Sequence, residues 1–282
     1  MKDPNKKVWF ITGASKGFGL EIARAALRAG DHVVRAVRSK TDQLSAILSE
    51  PDGLLVVKLD VTNEKEVHSA IEQAIAHFGK IDVLVNNAGF GMLTTIEEAS
   101  DQESRKLFDT NVFGLLNVTR AALPYMRRQR SGHIINVSSL FGYDAIPGWG
   151  LYGSTKFAVE GISKGLALEL SPFGIHVTAI APGLFSTSFL STDSYSRSEN
   201  IILDYESTAV GQMRRNIDKL HGSQPGDPKK LAELVVKLAH TENPPLHLPI
   251  GKDSIAMYRN NAEKMNREIT EWESRASATD HS

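Results

Sequence analysis

Short runs built mainly from valine, isoleucine and leucine recur along the chain, and most lack the polar alternation of a sheet with one wet face. They are Val8 to Ile11, His32 to Val37, Leu54 to Leu59, Val83 to Val85, His133 to Val137 and Ile175 to Ile180. Between them lie stretches of helical period, among them Leu20 to Ala29, Glu64 to Phe78, Ser104 to Arg127 and Tyr152 to Leu170. Strands covered by helices on both faces lose their polar positions, so this alternation predicts an α/β fold, a doubly wound parallel sheet with helices on both faces. Local chemistry at the element ends agrees. Gly30 and Gly79 follow helical stretches at places suited to a left-handed residue, and Asp227-Pro228 reads as N-cap and first residue of a helix over Lys229 to His240. The pattern breaks between Ser186 and Gln224, a serine-rich polar stretch expected to run over the carboxyl edge of the sheet. One catalytic domain is therefore expected over residues 1–251, with the excursion at 186–224 as a lid. Residues 252–282 form a charged extension, helical at first and frayed at its end.

Composition narrows the chemistry. With 282 residues, 41% of them hydrophobic, the chain can close a large core unaided. Its 32 basic and 33 acidic residues leave a net charge of -1, so no overall field draws it to nucleic acid or an anionic bilayer. The absence of cysteine removes disulfides, thiolate nucleophiles and cysteine-held metals. The nine histidines are scattered without metal-ligand spacing, so no metal site is expected, and no G-x-S-x-G elbow surrounds Ser138 or Ser139. The apolar run after MKDPNKK is too short for a signal core or a membrane span, which leads to the expectation of a cytoplasmic protein.

Directly after the first apolar run comes TGASKGFG, with Gly13, Gly17 and Gly19, opening a helix near Leu20. Such a loop brings backbone N–H groups close to a pyrophosphate, and the helix dipole adds attraction for the anion. A tight strand-to-helix turn would use similar residues, but its place after the first strand favours nucleotide binding. An acid about 20 positions later would hold a ribose 2′-hydroxyl. Here the second strand ends Ala36-Val37-Arg38, and Arg38 together with Lys16 suits a 2′-phosphate instead. NADP(H) is therefore preferred over NAD(H). Asp31 and Asp42 fall at loop positions wrong for the ribose.

Tyr152 and Lys156 stand one helical turn apart. Bringing a phenol from about 10 to neutrality needs roughly 4 kcal/mol, and an ammonium about 4 Å away at an effective dielectric of about 20 supplies roughly that amount. Ser139 ends the apolar run HIINVSS, so its hydroxyl emerges at the carboxyl edge of the sheet, where ligands of open α/β sheets bind.

Together these landmarks resemble the short-chain dehydrogenase/reductase family, from roughly Lys7 to Gly251 and in family order. They are TGASKGFG, Asp60-Val61, Asn86-Asn87-Ala88-Gly89, Asn111, Ser139, Tyr152 with Lys156, and Pro182-Gly183 with Thr187. The resemblance implies a Rossmann-type fold. It gives Tyr152 the role of general acid or base, Lys156 that of lowering its pKa and holding the ribose, Ser139 that of binding the substrate oxygen and Asn111 that of anchoring a relay water. Gly13, Ser15, Lys16, Gly17, Phe18 and Gly19 would cradle the cofactor phosphates. Asp60 and Val61 would meet adenine, Asn87, Ala88 and Gly89 the ribose region, and Pro182, Gly183 and Thr187 the nicotinamide. Taken singly, Asp60 also reads as a helix-start residue beside a capping Thr62, Asn111 as a helix-internal bond maker, and the NNAG stretch as an ordinary strand exit.

Met92, Leu93, Leu140, Phe141, Tyr143, Trp149, Phe185 and Phe189 flank these positions and suggest an apolar pocket for a ketone, aldehyde or secondary alcohol. Family resemblance further implies a homodimer or homotetramer joined through Ser104 to Arg127 and Tyr152 to Leu170. A cofactor-sensing regulatory protein, or an epimerase or dehydratase, would share the nucleotide loop. The intact serine, tyrosine, lysine and asparagine set favours the oxidoreductase, because a sensor has no need of a tuned phenol.

Overall fold

A computed structural model of the chain describes residues 6–38, 53–187, 189, 195–220 and 224–280, with backbone alone at 218–220. Seven strands form one sheet in the order β3-β2-β1-β4-β6-β7-β9, every neighbouring pair parallel. They are β1 (Val8–Thr12), β2 (His32–Val37), β3 (Leu54–Lys58), β4 (Val83–Asn86), β6 (Gly132–Val137), β7 (Ile175–Pro182) and β9 (His247–Ile250). Two further strands, β5 (Gly91–Leu93) and β8 (Tyr195–Arg197), pair parallel in a small separate sheet. The helices are α1 (Gly17–Arg28), α2 (Glu64–Phe78), α3 (Asp101–Phe108), α4 (Gly114–Gln129), α5 (Gly150–Leu170), α6 (Ala209–Leu220), α7 (Pro228–Ala239) and α8 (Lys252–Ser277).

The doubly wound α/β fold expected from the pattern is the fold observed, and its packing shows why the strands read as continuously apolar. On β1, Val8 and Phe10 join the core under α2 and α4, whereas Trp9 and Ile11 join the core under α1 and α7. Successive side chains point to opposite faces, and both faces are covered. Each such fully buried side chain contributes roughly 1.5–3 kcal/mol of transfer free energy. The chain runs from β1 outward to β2 and β3, then returns to β4 on the other side of β1. That reversal opens a crevice at the carboxyl ends of β1 and β4.

Several ends are set by caps visible in sequence. Gly79 terminates α2 at φ +84°, Gly30 follows α1 at φ +87°, and the Asp227 carboxylate accepts from Lys229 N to start α7. Others differ. Asn63, not Thr62, caps α2 by accepting from Lys65 N and Glu66 N. The helix expected over Ser104 to Arg127 begins earlier, where Ser100 and Glu103 form a reciprocal capping box. It is also interrupted by a π-helical turn at Asp109–Phe113, which separates α3 from α4. The charged extension is helical as far as Ser277. The excursion after Ser186 carries β8, a 3-10 turn at Leu203–Ser207 and α6, an organisation its polar composition concealed. Among the described residues no helix is long and apolar enough to cross a membrane.

Polar side chains inside the core lock the central strands. Asn86 on β4 donates to Asn136 Oδ1 on β6 and to Thr119 Oγ1 on α4, each at 2.9 Å, and Asn136 donates to Ser163 Oγ on α5. His133 on β6 is 5% exposed, with Nε2 2.9 Å from Thr178 Oγ1. The Thr178 hydroxyl proton goes to Pro245 O, so the imidazole is the donor and Nε2 carries its hydrogen. Burial, aided by His176 and Lys7, pulls this imidazole down to about 3. The unfolded chain protonates it near 6.5 and the folded chain does not, so the stability it confers is full above that point and drains away as pH falls. Urea unfolding should show a loss of about 2 kcal/mol from this residue between neutrality and about pH 5, and His133→Gln should remove that part of the slope. An unchanged slope in the variant would refute the assignment.

Candidate active site

The glycine loop between β1 and α1 is shaped by close backbone approach. Gly13 sits at φ +62°, where a Cβ would lie 2.8 Å from Ala88 Cα, and a Cβ on Gly19 would lie 2.7 Å from Gly13 O. Two polar side chains stitch this loop to the end of β4. Thr12 Oγ1 accepts from Asn87 N and Ala88 N at 2.9 and 3.0 Å, while Asn87 Nδ2 donates to Thr12 O and Gly13 O. A third hold, unforeseen in the sequence, is Arg35 on β2. Fully buried, it donates through Nε and a terminal nitrogen to Ala14 O at 3.2 and 2.7 Å. The N-terminus of α1 has neither a side-chain cap nor an acid in its first turn, and the space beside Gly17 Cα is open. These features fit an anionic pyrophosphate: the helix amides face the loop and no carboxylate opposes the charge.

A cleft of about 1180 Å³ runs along the carboxyl edge. Gly13, Ser15, Lys16, Gly17, Phe18 and Arg38 line it from the ends of β1 and β2, Asp60 and Val61 from beyond the edge strand β3, and Asn87, Ala88 and Gly89 from beyond β4. Ser139, Tyr152, Lys156, Pro182, Gly183 and Thr187 line the rest. Gly19 lies behind the loop it packs against, and Asn111 lies one layer deeper. Arg38 is exposed immediately after β2, and no acid occupies that strand end. Asp31, by contrast, is buried and accepts from Lys7 N and Trp9 Nε1, a structural duty; Asp42 lies outside the described residues. The Asp60 carboxylate accepts from Thr62 N and its hydroxyl, and Asn117 Nδ2 donates to Val61 O, so both are held in place before any ligand arrives.

Ser139 follows β6 in extended conformation and accepts from Phe141 N at 3.3 Å. Tyr152 stands in the first turn of α5, its ring flanked by Phe141, Trp149 and Phe189 at centroid distances of 5.8, 5.8 and 5.7 Å. Burial pushes its hydroxyl well above the ordinary phenol range, and the hydrogen bond with the Ser139 hydroxyl pulls the other way. Lys156, one turn on, is 6% exposed and donates from Nζ to Val137 O at 2.9 Å. Its Nζ stands 5.6 Å from the Tyr152 ring centroid. Burial draws the ammonium down to about 8, against an upward pull from Glu160. The phenol is thus held above its ordinary range rather than brought toward neutrality as its spacing from Lys156 leads one to expect. Lys156 stands one turn away and gives one of its hydrogens to a backbone carbonyl, while desolvation dominates the phenol.

Asn111 sits in the π turn, 2% exposed. Its Nδ2 donates to Phe90 O and Thr155 Oγ1, and its Oδ1 accepts from Phe90 N. It thus ties the strand exit after Gly89 to α5, rather than bonding only within its own helix. Of the expected pocket residues, Met92, Leu140, Phe141, Trp149, Phe185 and Phe189 line the cleft. Leu93 and Tyr143 do not. Leu93 turns into the core, and Tyr143 packs against Tyr258 on α8 with a centroid distance of 4.9 Å. Ile146, Tyr195, Met213 and Ile217 line it as well. Two carboxylates escaped sequence reasoning because their partners are remote in the chain. Buried Glu98 accepts from Ile202 N and pairs with Arg214, which pins the excursion over the cleft. Asp253 accepts from Leu184 N at 2.6 Å and fills the space beside Gly183, fixing the Pro182-Gly183 turn. Among the described residues no group of acids and histidines is placed to hold a metal.

The sequence pattern of the short chain dehydrogenases matches residues 7–197. The chain is 36% identical over 268 residues to oxidoreductase BOA17 of Botryotinia fuckeliana, covering 94% of this chain and 96% of that protein. It is 37% identical over 245 residues to a 3-ketodihydrosphingosine reductase of Bacteroides thetaiotaomicron, covering 87% and 88%. The crystal structure of a short-chain dehydrogenase from Streptomyces avermitilis superposes with a TM-score of 0.90 at 39% identity, covering 98% of this chain and 100% of that one.

Reaction of Lys156 with a small acylating reagent, followed by peptide mass mapping, should show a midpoint near 8 in the absence of cofactor. A midpoint in the ordinary lysine range would show that the burial argument fails.

Proposed function

Because the chain belongs to the short chain dehydrogenase family and is an oxidoreductase of that family, we propose that it reduces a ketone or aldehyde to an alcohol, or runs the reverse, with NADP(H) preferred over NAD(H). One observation carries the reading: the glycine cradle, Arg38, Ser139, Tyr152 and Lys156 all open into a single cleft. A bound nicotinamide supplies or takes up the hydride. The chain's residues do the rest.

In the reducing direction Tyr152 gives its hydroxyl proton to the substrate oxygen, which Ser139 holds by a hydrogen bond. A phenol kept protonated by burial is the form this step needs. The phenolate left behind is stabilised by the Lys156 ammonium, whose Nζ stands 5.6 Å from the ring centroid. Asn111 positions the strand exit and α5 relative to each other, and its role as anchor of a relay water belongs to this proposal. Arg38 and Lys16 flank the place of a 2′-phosphate, and a guanidinium can meet one with two charge-assisted bonds. Met92, Phe141, Trp149, Phe189, Met213 and Ile217 give the substrate end an apolar lining, which suits a carbonyl with a hydrophobic body. The 186–224 excursion serves as the lid that keeps water from the reacting centre, held at its base by Glu98. Exposed Phe113, Phe157 and Leu168 on the outer surface suit a homo-oligomeric interface.

Consumption of NADPH against a panel of ketones and aldehydes tests the reading. Tyr152→Phe should cost a factor of about 10²–10⁴ in turnover while cofactor binding persists, and full activity in the variant would exclude the tyrosine as acid. Arg38→Asp should weaken NADPH and leave NADH nearly untouched, narrowing or reversing the preference. Equal losses with both cofactors would show that Arg38 does not read the phosphate.

A further inference from the structure

The C-terminal helix α8 leaves the body of the protein after a short contact. Ser254 is buried, Met257 packs against the pocket cluster and Asn261 donates to Tyr143 O at 2.6 Å. From Ala262 to Ser277 every residue is exposed. Helices in proteins draw most of their stability from packing an apolar face, and this stretch packs none of its own.

That face has a regular sequence. Ile255, Tyr258, Ala262, Met265, Ile269, Trp272 and Ala276 recur at alternating intervals of three and four, the a and d positions of a two-stranded coiled coil. The large members are unburied: Met265 is 51%, Ile269 61% and Trp272 59% exposed. A shallow groove lined by Met265, Ile269, Trp272 and Ala276 follows the same face. The outward positions Asn260, Glu263, Lys264, Arg267, Glu271 and Ser274 are polar.

We propose that α8 pairs antiparallel with α8 of a second copy of this chain, centred near Arg267. In that register small residues meet large ones: Ala262 faces Trp272 of the second copy, Tyr258 faces Ala276, and Met265 faces Ile269. The flanking positions bring Arg259 against Glu273 twice, with one contact between the two Glu268 side chains at the centre. A parallel pair fares worse. Each layer would then meet itself, placing Trp272 on Trp272 and alanine on alanine, and Glu268 would face Glu273 on both sides. The charges and the sizes thus select the same occupant and the same direction.

The chain has no cysteine, so engineered thiols report contacts cleanly. Mixed under oxidation, Ala262→Cys and Trp272→Cys proteins should form a cross-linked heterodimer, while Ala262→Cys alone should not link to itself. Self-linking of Ala262→Cys would overturn the antiparallel arrangement. Sedimentation should show the assembled mass of the wild type halved by Ile269→Glu, whether what remains is one chain or a pair held elsewhere. An unchanged mass overturns the pairing and leaves α8 to another partner or to solvent. As a control for folding, Arg259→Glu and Glu273→Arg should each weaken association alone and restore it when mixed, since the mixture returns opposite charges to both flanks. Failure of the mixture, with both proteins folded by circular dichroism, equally overturns it.

Discussion

The crevice that the reversal of strand order opens takes its shape from a tie between the ends of β1 and β4. Thr12 Oγ1 takes two amide hydrogens from Asn87 and Ala88, and the Asn87 side chain returns two bonds to the carbonyls of Thr12 and Gly13. At this half-buried strand exit the bonds satisfy backbone polar atoms that would each cost up to about 1–3 kcal/mol if left unpaired and out of reach of water. Satisfying them with side chains leaves the loop too crowded for any residue but glycine at position 13. The same stitch therefore sets the shape of the cradle and the sequence it tolerates. Arg35 adds a hold from β2, so three neighbouring strands define one loop.

Burial and charge compete at the other end of the cleft. An ammonium near a phenol favours the phenolate, but both groups here are nearly excluded from solvent, and each loses hydration in its charged form. The outcome is a tyrosine that keeps its proton and a lysine drawn toward neutrality. Under the proposed reduction, in which Tyr152 donates first, this is the protonation form the step requires. On that proposal acidity is developed during the reaction, through Lys156 and the Ser139 hydrogen bond, rather than stored beforehand.

The sequence revealed the parts whose physics is local. Strand positions were legible because two covered faces leave a run of apolar residues, and the cradle was legible because only glycine permits the close approaches at Gly13 and Gly19. Tyr152 and Lys156 were legible because helical geometry puts residues four apart on one face. What escaped depends on partners far along the chain. Glu98 reads as a surface acid until Arg214 and Ile202 fold over it, and Arg35 reads as an interruption in a strand until Ala14 O turns to meet it. The π turn at Asp109–Phe113 carries no compositional mark, yet it is what rotates Asn111 inward. Leu93 and Tyr143 neighbour pocket residues in sequence, but proximity says nothing about which way a side chain leaves its strand or turn.

The extension beyond the sheet belongs to the site at its root. Asp253 and Ser254, the second and third residues of α8, hold Leu184 N and Ala181 O, on either side of the Pro182-Gly183 turn that lines the cleft. The gap beside Gly183 is filled by the Asp253 carboxylate, so helix and turn cannot shift independently without a clash or a lost bond. A helix is stiff along its axis, and α8 runs unbroken from this anchorage to Ser277. Whatever fixes the far end of that rod constrains the same rigid body that braces the turn. Association through the seam of α8 and the order of the cleft wall are thus properties of one element.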